Sequence, residues 1–404
     1  MTEKQLQACA SRLEEFTSEV LAGIGRSERR QHGALYVQGL LLNGERKSIE
    51  PLAARVPGGN VQALQQLVGQ SPWAWEPVRE RLAQRMQEAL LPVAGWIIDD
   101  TGFPKQGRDS VGVDRQYSGT LGKVGNCQIA VSIHLTTEQE SAPLDWALYL
   151  PQEWVDDPER CHKAGVPDGT VFRTKLELAL GLVDQLREWG LTWLPVLADV
   201  VYGKSTAFRQ GLVDRQLQYV VGVEPDTALW TEPTRRVQPA PKPGKGRPRV
   251  PHYKDKPTCL EAMATALPAA AWKTVRWREG SRGPQQSRFT ARRVQPAHGH
   301  VHNQAELPEV WVLIEWPQDE KAPTKYWFSN LPVPTSLTRL VGLAKLRWRV
   351  EQNYQQLKEE LGLDHFEGRG WLGWHHHVTL VCLAYAFLLL ERQRSKKNSS
   401  DDSP

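Results

Sequence analysis

The chain has 404 residues, 40% of them hydrophobic and 24% charged, with a formal net charge of +4. That is ordinary for a soluble globular protein and long enough for two or three domains with a large core. No uninterrupted apolar run approaches membrane length, the start lacks a secretion signal, and five scattered cysteines (Cys9, Cys127, Cys161, Cys259, Cys382) form no CxxC pair, so the expected setting is a reducing cytoplasm with no membrane partner and no disulfide framework.

From about Lys4 to Glu88 the pattern is mostly helical. Leu40, Leu41 and Leu42 precede a Glu45-Arg-Lys loop, and Val61 to Val68 follows it with helical spacing. The run Val93-Ala-Gly-Trp-Ile-Ile-Asp99-Asp100, followed by a Gly/Pro loop, reads as a buried strand whose end carries carboxylates. Gln128 to Leu135 and Ala147 to Leu150 supply further β patterns, expected as an antiparallel extension beside that strand. Thr174 to Glu188 predicts a strong helix leading into a second apolar run, Leu194-Pro-Val-Leu-Ala-Asp199, which again ends on an acid before a glycine turn. Strand, helix and strand in this order predict a right-handed parallel crossover. Gln218 to Val223 is another buried strand.

About Asp226 to Pro334 reads as an insertion, basic and β-patterned, in which Asp255, Glu261 and Glu279 are the only acids between Arg235 and Arg293. Its Pro239 to Pro251 tract is too rich in Pro and Gly for a helix or central strand and reads as a basic linker. Val378 to Leu390 is expected to be a packed helix, and the tail from 393 to 404 to be disordered. Cys161-His162 and His375-His-His377 lack ligand spacing to each other, which speaks against zinc.

The chemistry concentrates in Arg347-Trp-Arg-Val-Glu351-Gln-Asn-Tyr354-Gln-Gln-Leu-Lys358. If helical, this segment puts Arg347, Glu351, Tyr354 and Lys358 on one stripe, beside an apolar stripe of Leu343, Leu346, Val350, Leu357 and Leu361. A plain amphipathic helix with a surface ion pair explains that pattern equally well, and each strand-end Asp can simply cap the next turn. Three acids on two strand ends and a basic helix face nevertheless suit two Mg²⁺ ions, which need a few hard oxygen ligands from separate elements with room for water and phosphate.

The chain resembles a DDE transposase of a bacterial insertion sequence, closest in wording to the family named after insertion sequence 701. The phrases that carry the resemblance are Asp99-Asp-Thr-Gly-Phe-Pro-Lys, Arg115-Gln-Tyr-Ser-Gly-Thr-Leu-Gly-Lys-Val-Gly-Asn-Cys-Gln128, Ala198-Asp-Val-Val-Tyr-Gly203 and Lys358-Glu-Glu-Leu-Gly-Leu-Asp-His365. Arg347, Glu351 and Lys358 match most of a Tyr-Arg-Glu-Lys signature, whose Tyr falls here on Ala344. The resemblance implies an α/β fold: an RNase H-like mixed sheet flanked by helices, with an N-terminal helical domain and a β-rich insertion before the last catalytic helix. The expected segments are 1–90 (helical, DNA-binding), 91–225 (first part of the core), 226–334 (insertion), 335–392 (C-terminal helices of the core) and 393–404 (tail).

It further implies that Asp99, Asp199 and Glu351 hold two Mg²⁺ ions, with Mn²⁺ able to substitute, and that Asp100 is the alternative to Asp99. Arg347 and Lys358 would position a phosphate, with Tyr354 on the same stripe, and Arg46, Lys47, Lys105 and Lys123 are further candidate contacts to the DNA backbone, weighed against ordinary surface charge. The implied partners are double-stranded DNA, as inverted-repeat ends and target, and a second copy of the chain on that DNA, in a bacterial cytoplasm at the nucleoid. A catalytically inactive DNA-binding derivative and a metal-dependent nuclease without strand transfer are the alternatives.

Overall fold

A computed structural model describes residues 2–237, 252–280, 283–297 and 307–401. The basic linker expected at 239–251 lies outside the described residues.

Five helices open the chain: α1 (Glu3–Val20), α2 (Ser27–Leu41), α3 (Ile49–Arg55), α4 (Val61–Gly69) and α5 (Glu76–Ala89). Local chemistry sets their starts. Thr2 and Gln5 close a reciprocal capping box on α1, and Asn60 caps α4 through Ala63 N. Leu64, Leu67 and Val68 of α4 recur at helical spacing and are buried. Four strands follow: β1 (Gly95–Pro104), β2 (Asp114–Ser118), β3 (Lys123–Thr136) and β4 (Ser141–Tyr149). Then come α6 (Gln152–Val155), α7 (Pro158–Ala164) and α8 (Lys175–Glu188). Thr174 and Glu177 form the capping box of α8, whose Ala179, Leu182, Val183 and Leu186 are buried.

The next stretch is β5 (Val196–Ala198), α9 (Val200–Gly203), α10 (Thr206–Asp214), β6 (Tyr219–Val223), β7 (Ala228–Trp230), β8 (Arg236–Val237), β9 (His252–Tyr253), β10 (Thr258–Cys259), α11 (Leu260–Thr265), β11 (Lys273–Gly280), β12 (Gly283–Pro296), β13 (Val310–Trp316) and β14 (Lys325–Ser329). Three helices close the chain: α12 (Leu337–Leu346), α13 (Trp348–Gln355) and α14 (Trp371–Asp401).

These elements form two compact units. The first comprises Met1–Val93, Ile98–Thr192 and Arg349–Pro404. Its β2, β3 and β4 are an antiparallel meander, with Ile129 opposite Tyr149 and Tyr117 opposite Val124. α14 is its central post and packs on α2, α4, α5 and β4. The run His375-His-His377 serves this packing. His375 stacks on Trp75 at 4.2 Å, His376 on Trp73 at 3.6 Å, and His377 accepts from the Tyr36 hydroxyl at 2.9 Å. Burial pushes His376 and His377 down to about 4, and their ring nitrogens lie against protein groups, His376 between the Val68 and Trp73 carbonyls and His377 between the Tyr36 hydroxyl and the Gly362 carbonyl.

The second unit comprises Ala94–Ile97 and Trp193–Trp348. In it β5 and β6 run parallel, and β6, β14, β13, β12 and β11 pair antiparallel in that order. α12 lies across β5, β6, β11 and β12. Lys345 of α12 pairs with buried Glu315 at 2.5 Å and sits 4.5 Å from the Trp277 ring centre. Arg278 covers the Trp348 ring at 3.8 Å and Arg288 the Trp316 ring at 4.3 Å. Parallel and antiparallel pairing flanked by helices makes the fold mixed α/β, as expected of an RNase H-like core.

One segment differs from the sequence reading. α14 continues through the segment read as a disordered tail, as far as Asp401. The packed helix expected at Val378 to Leu390 lies inside α14: Trp371–Lys396 is long and apolar enough to cross a membrane by length and composition, but its most apolar stretch is buried within the molecule as a core helix. Thr379, Tyr385 and three histidines interrupt the apolar run in sequence, but all five are buried in the core beside Leu380, Val381, Leu383 and Leu389.

Candidate active site

Asp99 lies in the middle of β1, not at a strand end. The strand continues past Gly102 because that glycine is a close-approach position: a Cβ there would sit 2.0 Å from Ser118 Oγ of β2. Asp99 is 9% exposed, and its Oδ1 accepts the Asp100 amide at 2.8 Å. Asp100 turns to the other face of the strand, where its carboxylate pairs with Lys175 in the first turn of α8. Asp100 is thus held in an ion pair with α8.

Asp199 follows β5 and caps α9. Its Oδ1 accepts from Val201 N at 2.9 Å and Tyr202 N at 3.3 Å, so the capping role is real and fixes the carboxylate. The Val-Val-Tyr-Gly segment fits here because α9 presses on β6. A Cβ on Gly203 would meet the Gly222 carbonyl oxygen at 1.9 Å.

The segment from Arg347 to Lys358 is not one continuous α-helix. Arg347 sits at the turn between α12 and α13, and residues Gln356–Glu360 form a π-turn that changes the angular spacing. Glu351 is exposed in the first turn of α13, where the helix N-terminus favours a carboxylate. Ala344, where the signature has Tyr, is buried.

Tyr354 and Lys358 are half-buried, and each is hydrogen-bonded within the protein. Lys358 Nζ donates to Thr101 Oγ1 and the Gly102 carbonyl, both at 2.8 Å, and to Thr120 Oγ1 at 3.2 Å. Burial lowers its pKa, which the carboxylate of Asp364 opposes. Tyr354 begins a buried chain of hydrogen bonds. It donates to Ser132 Oγ (2.7 Å), Ser132 to His134 Nε2 (2.8 Å), and His134 Nδ1 to Asn353 Oδ1 (2.9 Å). Asn353 donates to Tyr385 Oη (2.7 Å), which donates to Gln356 Oε1 (3.0 Å). Burial pushes His134 down to about 4, consistent with the neutral tautomer this chain requires. The network bolts α13 to β3 and α14, and so holds the element that carries Glu351. Sequence reading missed it, although Ser132 and His134, two apart in an apolar strand, share one face.

The remaining candidates divide. Lys47 is buried, and its ammonium donates to the Leu40 carbonyl at 2.9 Å and to the Leu42 carbonyl, so it caps α2 and is not a surface phosphate contact. Arg46 is exposed and pairs with Glu367 at 3.5 Å, a contact that water screens. Lys105 donates to the Phe366 carbonyl at 2.6 Å. Arg46, Lys105 and Arg369 line one cavity of about 410 Å³ together with Asp109, Asp364 and Glu367, so its charge is balanced. Lys123 is exposed at the start of β3.

Asp99, Asp199 and Glu351 are hard oxygen donors of the kind Mg²⁺ or Mn²⁺ takes, with no competing thiolate among them. Among the described residues no three His, Cys, Asp or Glu side chains form a group placed to hold a metal ion. The sequence reading has these three acids sharing cations; in the structure each stands on its own element.

Residues 19–284, well over half of the chain, match the family described as DDE superfamily endonuclease. Asp99 and Asp199 lie in that span, and Glu351 lies beyond it. The chain is also similar to a protein of Microchaete diplosiphon described as a probable transposase for insertion sequence element IS701, with 30% identity over 203 residues, 50% of this chain and 50% of that protein. The match thus spans about half the length of the relative. A mixed α/β fold, an aspartate on each of two separate elements and a family match across both place this chain among the DDE superfamily endonucleases.

Proposed function

We propose that the protein is a transposase that cleaves the ends of an insertion sequence and joins them to target DNA by phosphoryl transfer. The observation that carries this reading is the placement of Asp99 on β1 and Asp199 after β5, both inside the span that matches the endonuclease family. Asp99, Asp199 and Glu351 would hold the divalent metal, two Mg²⁺ ions with Mn²⁺ as substitute, which when bound supplies charge for the attacking and leaving oxygens.

The chain's own groups do the rest. The amide bonds to Asp99 and Asp199 fix one oxygen of each. Arg347, at its turn, offers a planar fork suited to a phosphate. Lys358 acts through β1: its three bonds tie the segment just after Asp99 to the turn at Thr120. DNA as inverted-repeat ends and target, and a second copy of the chain, are the partners this reading requires, in the bacterial cytoplasm.

The test is a cleavage and joining assay with duplexes copied from the DNA that brackets the gene. Cleaved ends that become joined to a target plasmid are the expected products. Cleavage without joined product would favour a nuclease, and binding without either would favour an inactive derivative.

Lys358→Met is expected to lower cleavage by at least about tenfold and stability by about 2 kcal/mol, because a partly buried cation loses three acceptors. DNA affinity and its salt slope should stay near wild type. A slope reduced by about one would show that Lys358 contacts a phosphate directly.

A further inference from the structure

The hairpin of β2 and β3 leaves a large aromatic ring in water. Tyr117 is 61% exposed, and Val124, its direct cross-strand partner, is 51% exposed. Alternation along β2 puts Arg115 on the same face as Tyr117, while Ser118 is buried and Gln116 turns to donate to the Cys127 carbonyl at 2.8 Å. Single exposed apolar residues need no explanation, but a facing aromatic and β-branched pair beside an exposed arginine is a flat apolar platform with a cation at its edge.

The tip has two further properties. From Asp114 to Val124 the cations Arg115 and Lys123 outnumber the one acid, Asp114. The hairpin is also tied to the candidate site: Thr120 at its turn receives both Lys358 Nζ (3.2 Å) and the Gly102 amide (3.3 Å), and Ser118 packs against Gly102, three residues beyond Asp99. The platform is therefore held at a fixed distance along β1 from an acid of the proposed centre.

We infer that this hairpin stacks Tyr117, backed by Val124, against an unstacked base of the DNA being processed, while Arg115 contacts a phosphate beside it. The inference rests on the transposase reading and adds a contact to it. Base–aromatic stacking is strong and tolerant of sequence, which suits a position next to the reacting strand.

The test uses the full chain without divalent metal and duplexes copied from the bracketing DNA, with 2-aminopurine at or next to a terminus or a nick. Wild type should bind and change the fluorescence of one such position. Tyr117→Ala should weaken binding about tenfold and abolish that change, Tyr117→Phe should retain both, and far-UV circular dichroism should match wild type throughout. Arg115→Ala should reduce the salt slope of binding by about one. Wild-type affinity and an unaltered fluorescence response in Tyr117→Ala would overturn the inference, and loss in Tyr117→Phe would assign the effect to the hydroxyl and overturn the stacking. A DNA-independent dimer that Tyr117→Ala dissolves, with DNA signals unchanged, would give the face to a second copy and overturn it as well. Failure of the wild type to bind any of the duplexes would instead remove the transposase reading on which the inference stands.

Discussion

Glu351→Gln is expected to reduce metal-dependent DNA cleavage by on the order of a thousandfold, with DNA affinity changed little. The substitution keeps the size and shape of the side chain and removes only its charge. Glu351 is exposed in the first turn of α13, so its backbone and the packing of Val350 and Asn353 beneath it are unaffected. A surface change of this kind shifts stability by no more than about 0.5 kcal/mol. An amide is a much weaker ligand for a hard divalent cation than a carboxylate, so activity falls without unfolding. The measurement is a single-turnover cleavage rate over a range of Mg²⁺ and Mn²⁺ concentrations, beside a binding isotherm and a thermal melt. Partial recovery in high Mn²⁺ would fit a weakened metal ligand. Cleavage at the wild-type rate would remove Glu351 from the site, and with it the family signature as a guide to this chain. A lowered melting temperature with lost DNA binding would show instead that Glu351 holds α13 in place.

Much of the fold is legible in the chain because its signals are local. The capping boxes at Thr2 and Thr174, the helical spacing in α4 and α8, and the apolar runs of β5 and β6 each specify their own element. The candidate acids were legible for the same reason, since Asp99 and Asp199 follow apolar runs. What the sequence hides is direction. Lys358 looks like a phosphate ligand by spacing, but the π-turn at Gln356–Glu360 rotates it onto Thr101 and Gly102. Tyr354 looks like part of the same stripe, and Ser132 on a distant strand takes its hydroxyl. Lys47 looks like loop charge, and two carbonyls at the end of α2 claim it. For Lys358 and Tyr354 the deciding partner lies on an element that no short window of sequence contains, whereas for Lys47 it is the folding back of the loop onto the end of α2. The extent of β1 was hidden in the same way: Gly102 and Pro104 read as loop residues until the Ser118 side chain against Gly102 is seen.

Arg79→Ala is expected to destabilise the first unit by about 3–5 kcal/mol, the largest stability effect of any single change considered, because it removes one member of a buried ion pair. Arg79 and Asp145 have side chains only 3% and 9% exposed, and their atoms meet at 2.8 Å. The guanidinium also donates to Thr379 Oγ1 (2.8 Å), the Trp146 carbonyl (2.9 Å) and the His375 carbonyl (3.2 Å), so it joins α5, β4 and α14. Without it those acceptors are stranded, and the Asp145 carboxylate faces a dry interior. Burial already raises the Asp145 pKa and Arg79 opposes that rise, so its loss lets the folded-state value climb further.

The sign of the pH effect follows. A carboxyl whose folded pKa lies above its unfolded value favours the folded state fully below the unfolded pKa, and that contribution is lost as pH rises through the folded pKa. The deficit of Arg79→Ala should therefore be largest at neutral pH and shrink as pH falls toward the ordinary carboxylate range. The double variant Arg79→Met with Asp145→Leu should recover most of the loss, because no charge is left buried. Urea denaturation of the two variants and the wild type across pH measures all three. A deficit under about 1 kcal/mol in Arg79→Ala, or a double variant less stable than the single, would show that the surrounding packing, and not the ion pair, joins these three elements.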